Sequence, residues 1–404
     1  MELFVARQPI FDAHMNVFGY EALFRSGMEN VFDGSEGNTA TAKVISALLG
    51  SVEGERLMGG RPAFLNFPRM LLVEEAASIL PPETTVIEIL ETVEPDAEVV
   101  AACHRLRARG YRLALDDFIP TAAPNPLTQV VDILKVDFRL TSPSQQQLAV
   151  DQFGSQLQLL AEKVETREEF QRASRMGYQY FQGFFFARPA ITVAHQIDGW
   201  KLNYLRILQE LHHPQLDYAR LTELLRREHA LSYKLLRFVN SALFARREPI
   251  ESLHHALAFA GEEAARKWLS VVTLLDLASD QPTELAVNTL VRARFAELLA
   301  PVAGLRGRSE DCFLMGMFSR LDAMMGRPME ELLAGLNLHE EIARVLLGRP
   351  HSDDRLPAIW EMVEAYETAD WVRTARLSSA LHLATDSLTS SYTEAVGWAD
   401  AACH

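Results

Sequence analysis

Acidic residues stand inside two strongly apolar stretches of this sequence. Glu88 and Glu91 interrupt the run that begins at Val86, and Asp116 and Asp117 end another run of small and branched apolar residues. A carboxylate buried without a partner costs several kcal/mol. We therefore expect these acids to converge on a compensating partner rather than to lie alone in a core.

Further polar residues lie at comparable points along the chain, and their types point to phosphodiester chemistry. The full set is Glu21, Arg25, Asn66, Glu88, Glu91, Asp116, Asp117, Lys135, Asp137, Glu162, Glu165 and Gln182. Converging carboxylates repel one another, and one or two Mg²⁺ or Mn²⁺ ions with oxygen ligands are the simplest compensation. Two such ions about 3.5–4 Å apart suit in-line attack on a phosphodiester. A nearby lysine could orient the attacking water, and a further carboxylate could take its proton.

The elements that must position these residues alternate between short β-rich runs and amphipathic helices. The predicted strands are Leu3–Ile10, Phe18–Arg25, Ala63–Phe67, Thr85–Glu91, Arg112–Asp117, Ile133–Phe138, Leu159–Val164 and Tyr180–Phe186. The predicted helices are Ala40–Leu49, Met70–Ile79, Asp96–Arg107 and Arg167–Met176. This α/β alternation predicts a closed (β/α)₈ barrel with the polar residues at the carboxyl ends of its strands, where barrel active sites lie. Ordinary salt bridges across that end are the alternative interpretation.

The second half of the chain has a different pattern. Helical periodicity is almost continuous from about Trp200 onward, which predicts an all-α domain. We expect the boundary near Pro189–Gly199, with domains at 1–195 and 199–385. The tail 386–404, rich in Ser, Thr and Ala, is expected to be poorly ordered.

Composition excludes several classes of protein. The 404 residues predict two domains, and 48% apolar with 23% charged residues exclude extensive disorder, collagen and coiled coil. A net charge of −15 opposes broad binding to nucleic acid. Short apolar runs and an amino terminus without basic residues predict a cytoplasmic protein without membrane contact. Three scattered cysteines suggest neither a disulfide framework nor a thiolate metal site.

The first half resembles the EAL domains, which are cyclic di-GMP phosphodiesterases with a TIM-like barrel fold. The motifs occur in the family's order: Gln8-Pro-Ile, Tyr20-Glu-Ala-Leu-Phe-Arg25, Phe64-Leu-Asn66, Glu88-Ile-Leu-Glu91, Asp116-Asp-Phe118, Lys135-Val-Asp137, Ala161-Glu-Lys-Val-Glu-Thr166 and Gln182-Gly183 with Pro189. The resemblance covers residues 1 to about 190. It implies a Mg²⁺- or Mn²⁺-dependent enzyme of bacterial signalling, in motility or biofilm, that opens cyclic di-GMP to linear pGpG.

The resemblance also implies a role for each matching residue. Metal ligands would be Glu21, Asn66, Glu88 and Asp116, with Asp116 shared and Asp117 assisting a second ion. Catalytic roles would fall to Lys135, which positions the water, to Glu162 as base or second-metal ligand, and to Asp137. Arg25 would contact a substrate phosphate, Gln8 and Gln182 would support substrate binding, and Glu91 would anchor the loop after the Asp pair.

The sequence departs from the EAL pattern at three points. Residues 119–126 replace the family's Gly-rich loop, which couples the metal site to dimerisation, so a homodimer through this domain stays open. Leu90 stands where the family has Thr. Lys163 stands where it has Gly, and adds bulk and charge beside Glu162.

The second half resembles the HDOD domain, a helical relative of the HD hydrolases, over about 199–385. The run Leu231–Phe244 and the segments near Pro249, Gly316 and Leu336 carry the resemblance. Where the metal-binding His-Asp pair of the hydrolases would be expected, this chain has Leu321-Asp322. His254 and His255 are neighbours on a predicted helix, so they point about 100° apart and cannot share one metal.

Two functions follow from these observations. The first is a cyclic di-GMP phosphodiesterase with a non-catalytic HDOD domain that regulates it or binds a partner. The second is a catalytically impaired EAL–HDOD adaptor that works through protein contacts or cyclic di-GMP sensing. The intact ligand set favours the enzyme, and the altered loop favours the adaptor.

Overall fold

Eight β-strands close into a barrel in chain order. The computed structural model describes residues 3–26, 57–121, 125–188, 199–213, 215–241, 250–336, 338–349 and 355–403. The strands are β1 (Leu3–Asp12), β2 (Val17–Ser26), β3 (Ala63–Phe67), β4 (Thr85–Ile89), β5 (Arg112–Leu115), β6 (Ile133–Asp137), β7 (Gln158–Glu162) and β8 (Tyr180–Gln182). The predicted barrel is confirmed.

The strand β1 runs antiparallel to both of its neighbours, whereas the other strand pairs are parallel. The fully parallel barrel predicted from the alternation is therefore wrong at this position. Only four residues separate β1 from β2. Such a link closes a hairpin, whereas a parallel pair needs a crossover of a dozen or more residues.

The last strand is shorter than predicted because Gly183 ends it. Its φ is 140°, and a Cβ there would lie 2.1 Å from the carbonyl oxygen of Val164. Only glycine fits so close an approach of two backbones. Residues Phe184–Ala187 form a 3₁₀ turn, whereas the predicted strand extended to Phe186.

Four helices of the barrel lie in the described ranges: α1 (Arg69–Val73), α2 (Ala97–Ala108), α3 (Pro143–Phe153) and α4 (Arg167–Met176). The single helix predicted over Met70–Ile79 is wrong, because Glu75 adopts φ 50° and separates α1 from a 3₁₀ turn at Ala76–Ile79. Helix α3 was missed, although its capping box, Ser142 with Gln145, is visible in the sequence. The predicted helix Ala40–Leu49 lies outside the described residues.

The second half is helical, as predicted. Its helices are α5 (Gly199–Leu211), α6 (Tyr218–Arg226), α7 (His229–Val239), α8 (Leu253–Ala260), α9 (Glu262–Leu277), α10 (Thr283–Val302), α11 (Ser309–Phe318), α12 (Leu321–Met325), α13 (Met329–Ala334), α14 (Glu340–Leu346), α15 (Arg355–Glu367), α16 (Trp371–Leu381) and α17 (Thr385–Cys403). No helix in the described ranges is long and apolar enough to cross a membrane.

The carboxyl-terminal tail expected to be poorly ordered is the helix α17, which packs on β1. It buries Leu388, Tyr392, Val396 and Ala399 on one face. These positions have helical spacing, so burial against α10 and β1 orders a segment whose Ser, Thr and Ala content suggested disorder.

The helical half also completes the hydrogen bonding of β1. Within the described ranges, β1 pairs with β8 only from Ile10 to Asp12. Nearer the amino end of β1, the N–H of Val5 donates to the hydroxyl of Tyr366 and the N–H of Arg7 donates to the hydroxyl of Tyr392, each at 3.4 Å. Two helices thus cover a strand edge that would otherwise expose backbone donors. One hydrophobic cluster contains apolar residues of both halves, and two further clusters lie within the helical half and inside the barrel.

Candidate active site

Strand register brings most of the predicted polar residues to one level inside the barrel. Asn66 of β3 lies opposite Glu88 of β4, and Asp137 of β6 lies opposite Glu162 of β7. Because alternate residues of a strand face the same side, Lys135 shares the inward face with Asp137. The carboxyl ends of parallel strands therefore gather these side chains, as the sequence predicted.

The ammonium group of Lys135 lies among four carboxylates. Its Nζ is 2.6 Å from Glu88 Oε1, 2.8 Å from Asp116 Oδ1, 2.9 Å from Glu162 Oε1 and 3.5 Å from Glu21 Oε2. We call these five residues the inner cluster. The side chains of Lys135 and Glu88 are completely buried. One positive charge faces four acids, so the inner cluster has an excess of negative charge when all of them are ionised.

Burial and mutual repulsion perturb the ionisation of this cluster. Burial, reinforced by the charge of Glu21, raises the pKa of Glu88 well above its usual value. Burial also raises the pKa of Glu162 to about 8, against the opposing effect of Lys135. Burial alone would lower the pKa of Lys135, but the surrounding acids outweigh it and raise that pKa. Carboxylates that resist ionisation together mark a place where a further cation would be stabilised.

Amide side chains orient Glu21 at the edge of the inner cluster. Gln182 donates from Nε2 to Glu21 Oε2 at 2.7 Å and to Gln8 Oε1 at 2.8 Å. Asn66 donates from Nδ2 to Glu21 Oε1 at 3.2 Å. Because Asn66 donates through its nitrogen, its carbonyl oxygen points away from Glu21. That oxygen could coordinate a cation.

Several buried oxygens of the site lack a hydrogen-bond donor among the described residues. They include Oδ1 of Asn66, Oε2 of Glu88 and Oε2 of Glu162. Buried polar atoms normally have partners, so each of these oxygens needs an explanation. Carboxylate and amide oxygens are the ligands that Mg²⁺ and Mn²⁺ prefer, and a cavity of about 200 Å³ is lined by Glu162 together with Glu21 and Asp116. The residues present therefore fit a divalent cation.

A second group of acids lies where β4 and β5 end. Ligand oxygens of Glu91, Asp116 and Asp117 lie within 4.8 Å of one another. Asp117 adopts a left-handed φ of 42°, and burial together with Asp116 raises its pKa. Asp116 is thus shared between the inner cluster and this outer group of acids.

Asp137 lies beside the inner cluster but has other partners. It accepts hydrogen bonds from the backbone N–H of Arg139 at 2.5 Å and of Leu140 at 3.0 Å, and from the ammonium of Lys163. Burial would raise the pKa of Asp137, but these donors outweigh it and lower that pKa. Sequence reasoning noted the bulk and charge of Lys163 but did not predict its bond to Asp137.

Two of the predicted site features fall partly outside the described residues. Arg25 belongs to β2, where it pairs with Phe4, but its side chain is not described. In the loop 119–126, residues 122–124 are not described. The contact of Arg25 with a substrate phosphate stays a prediction. The contact of Glu91 with the loop 119–126 stays one too.

In the helical half, the structure places two of the histidines, His254 and His255, at the surface. His254 and His255 are exposed at the start of α8, where Ser252 caps the helix by accepting from the N–H of His255. Asp322 lies at the start of α12 and accepts from the N–H of Ala323. His212 is partly buried, its ring packs edge-on against Phe318, and its Nε2 lies 3.2 Å from the Ser270 hydroxyl.

Two domain patterns match the chain, an EAL domain over residues 62–189 and an HDOD domain over residues 202–341. The chain belongs to the family of proteins in which an EAL domain precedes an HDOD domain. It is 34% identical over 375 residues to the cyclic di-GMP phosphodiesterase CdgJ of Vibrio cholerae. The aligned region covers 91% of this chain and 85% of CdgJ. It is 33% identical over 416 residues to YuxH of Bacillus subtilis, an uncharacterized protein, covering 100% and 98%.

Solved structures of EAL proteins also match. An EAL domain protein from Listeria monocytogenes is 21% identical over 46% of this chain and 88% of its own, with a TM-score of 0.37. A calcium and cyclic di-GMP complex of Klebsiella pneumoniae BlrP1 is 24% identical over 47% and 56%, with a TM-score of 0.39.

Proposed function

We propose that this protein is a divalent-cation-dependent phosphodiesterase that hydrolyses cyclic di-GMP to pGpG. The observation that carries the proposal is the inner cluster, in which four carboxylates surround one lysine. Salt bridges that only closed the barrel would balance charge and satisfy their oxygens, and this cluster does neither. The identity to the cyclic di-GMP phosphodiesterase CdgJ supports the choice of substrate.

The cation-binding residues would be those predicted from the sequence. Glu21, Asn66, Glu88 and Asp116 would hold a first Mg²⁺ or Mn²⁺, and Asp117 with the shared Asp116 would hold a second. When bound, the two ions would stabilise the entering and leaving oxygens of the phosphodiester. The unpartnered oxygens of Asn66 and Glu88 support this assignment.

Lys135 and Glu162 would handle the attacking water. Lys135 has three N–H donors, and oxygens of Glu88, Asp116 and Glu162 lie within 2.9 Å of its Nζ, so it would hold a water oxygen once one of these acids has turned to a bound cation. Burial raises the pKa of Glu162 to about 8, so its carboxylate takes up a proton more readily than an exposed one and would serve as the base. Arg25, Gln8 and Gln182 would contact substrate, and Asp137 would hold the strand end through its bonds to Arg139 and Leu140.

The helical half would act without metal chemistry of its own. Asp322 has no adjacent histidine in the chain, and His254 and His255 are exposed. Its broad contact with β1 supports a role in regulating the barrel or in presenting it to a protein partner. Whether the barrel also forms a homodimer stays open, because residues 119–126 replace the Gly-rich loop that couples the metal site to dimerisation in the family.

The test is a titration of the purified full chain with Mg²⁺ and Mn²⁺ in the presence of cyclic di-GMP, with pGpG followed by chromatography. We expect cation-dependent pGpG from the wild type and none from Glu21→Ala, with a matched thermal transition showing that the variant folds. Equal turnover of Glu21→Ala at equal protein and cation would reject the site.

One observation favours a second candidate, the catalytically impaired adaptor. The ammonium of Lys163 bonds Asp137 and lies beside Asp117, where a second cation would be expected. Calorimetry with cyclic di-GMP in Ca²⁺ separates the candidates, because binding without pGpG formation in Mn²⁺ would identify a cyclic di-GMP sensor. If cyclic di-GMP neither binds nor is hydrolysed, the role in protein contacts remains.

A further inference from the structure

Lys163 adopts a backbone conformation that few lysines adopt. It follows Glu162 at the end of β7 with φ 52°, in the left-handed region. Long side chains are rare there because Cβ crowds the neighbouring carbonyl oxygen, whereas glycine adopts it without strain. A lysine in this conformation is therefore strained, and contacts of its side chain must compensate.

The side chain of Lys163 turns toward the acids at the barrel end. Its Nζ bonds Asp137 Oδ2 and lies 3.6 Å from Asp117 Oδ1, an oxygen without a hydrogen-bond donor among the described residues. The Lys163 side chain is 53% exposed, and the ion pair with Asp137 holds its ammonium group in this place. The group is thus a fixed ammonium ion on the outer side of the site.

Two lysines therefore divide the adjacent aspartates between them. Lys135 Nζ is 2.8 Å from Asp116 on the inner side, and Lys163 Nζ is 3.6 Å from Asp117 on the outer side. Asp117 belongs to the group with Glu91 and Asp116 whose oxygens lie close enough to share an ion. The positive charge of Lys163 lies beside that group and opposes a further cation there.

We infer that Lys163 is a built-in cation that weakens binding of a second divalent ion at Asp117, and so sets the cation concentration at which the site fills. This rests on the proposed function for the existence of the site. Lys163 would act as a positioning residue, because it contacts the acids rather than the substrate. An inner ion held by Glu88 and its neighbours would be little affected by Lys163.

The experiment measures Mn²⁺ binding to the full chain by calorimetry and by the electron paramagnetic resonance signal of free Mn²⁺. Lys163→Met removes the charge and keeps the length, Lys163→Gly removes the charge and the strain, and Lys163→Arg keeps the charge. For removal of a charge a few ångströms away, we expect both neutral variants to bind a second Mn²⁺ about tenfold more tightly. The Arg variant should match the wild type.

The outcomes separate the inference from the proposed function. If the neutral variants bind Mn²⁺ like the wild type, while Glu88→Gln loses the ion, the cation site stands and the role of Lys163 is rejected. Tighter binding in Lys163→Arg as well would also reject it, because charge would not be the cause. If the wild type and all Lys163 variants fail to bind Mn²⁺, the proposed cation site fails and the inference with it.

Discussion

Two clusters of buried charge lie on opposite faces of the barrel wall and meet at β2, which carries Tyr20 and Glu21, and they differ in charge balance. Inside the barrel, the inner cluster sets one lysine against four acids. Outside, Arg7, Tyr20, Glu284 and Asp400 form what we call the outer cluster, which joins the barrel to α10 and α17.

The outer cluster satisfies its polar groups. Arg7 donates to both oxygens of Asp400, at 3.0 and 2.8 Å, and to the carbonyl oxygen of Leu57 at 2.6 Å. Its guanidinium also lies 4.2 Å from the ring centre of Tyr20, whose hydroxyl donates to Glu284 at 3.0 Å. Burial is common to both clusters, so burial alone does not identify a ligand site. Unbalanced charge with unpartnered oxygens does.

The largest effect should come from Glu88→Gln in the inner cluster. The change removes a proposed cation ligand while it keeps the shape, so we expect hydrolysis of cyclic di-GMP to fall about a hundredfold or more. The thermal midpoint should stay the same or rise, because a buried, repelled carboxylate disappears. Chromatography of pGpG and a thermal melt check both statements. A stable variant with wild-type turnover would contradict the role of Glu88 as a cation ligand. A strongly destabilised variant would show that the inner cluster stabilises the fold, as the outer cluster does.

The opposite result is expected for Arg7→Met in the outer cluster. Arg7 is 3% exposed, and its loss leaves Asp400 and Glu284 without their cation, which should lower the free energy of unfolding by about 3 kcal/mol at pH 8. Denaturant unfolding measures the change. The matched control is Arg344→Met, which breaks the exposed pair with Glu340 and should cost less than about 1 kcal/mol. If Arg7→Met and Arg344→Met lowered the free energy of unfolding equally, the outer cluster would stabilise the fold no more than an exposed ion pair does.

The residues of the inner cluster could be predicted from the sequence because each lies within or directly after an apolar strand. Period-two alternation and the order of the strands then bring Glu88, Lys135 and Glu162 to one side of the barrel. Their distances could not be predicted, since the central place of Lys135 depends on how the barrel closes. The left-handed conformation of Lys163 is not marked by lysine itself, although the glycine that the EAL family has at this position is the residue that such a conformation favours.

The outer cluster could not be predicted. Arg7 and Asp400 are 393 positions apart, and no local periodicity relates them. The antiparallel direction of β1 was open to prediction from its short link to β2, and the helix α17 from the spacing of its apolar residues. Composition suggested a disordered tail because it takes no account of the surface of β1 that the tail covers.

The smallest effect expected of this comparison concerns the pH dependence of the outer cluster. Burial raises the pKa of Glu284 to about 7 from 4.5, against the opposing charge of Arg7. The folded protein therefore holds a proton between those pH values that the unfolded chain releases. The stability contributed by this proton is complete below pH 4.5 and is lost as the pH rises through 7.

Glu284→Gln keeps an acceptor for Tyr20 and does not titrate, so comparison with the wild type isolates this group. Between pH 5 and pH 8, the free energy of unfolding of the wild type should fall relative to that of Glu284→Gln, by on the order of 2 kcal/mol. Denaturant unfolding at several pH values measures the difference, in which the titration of most other groups cancels. Parallel pH profiles would mean that Glu284 is ionised at neutral pH in the folded protein, and the outer cluster would then hold two carboxylates against one arginine. The contrast in charge balance between the two clusters would be smaller, and the unpartnered oxygens of the inner cluster alone would distinguish a ligand site from a structural one.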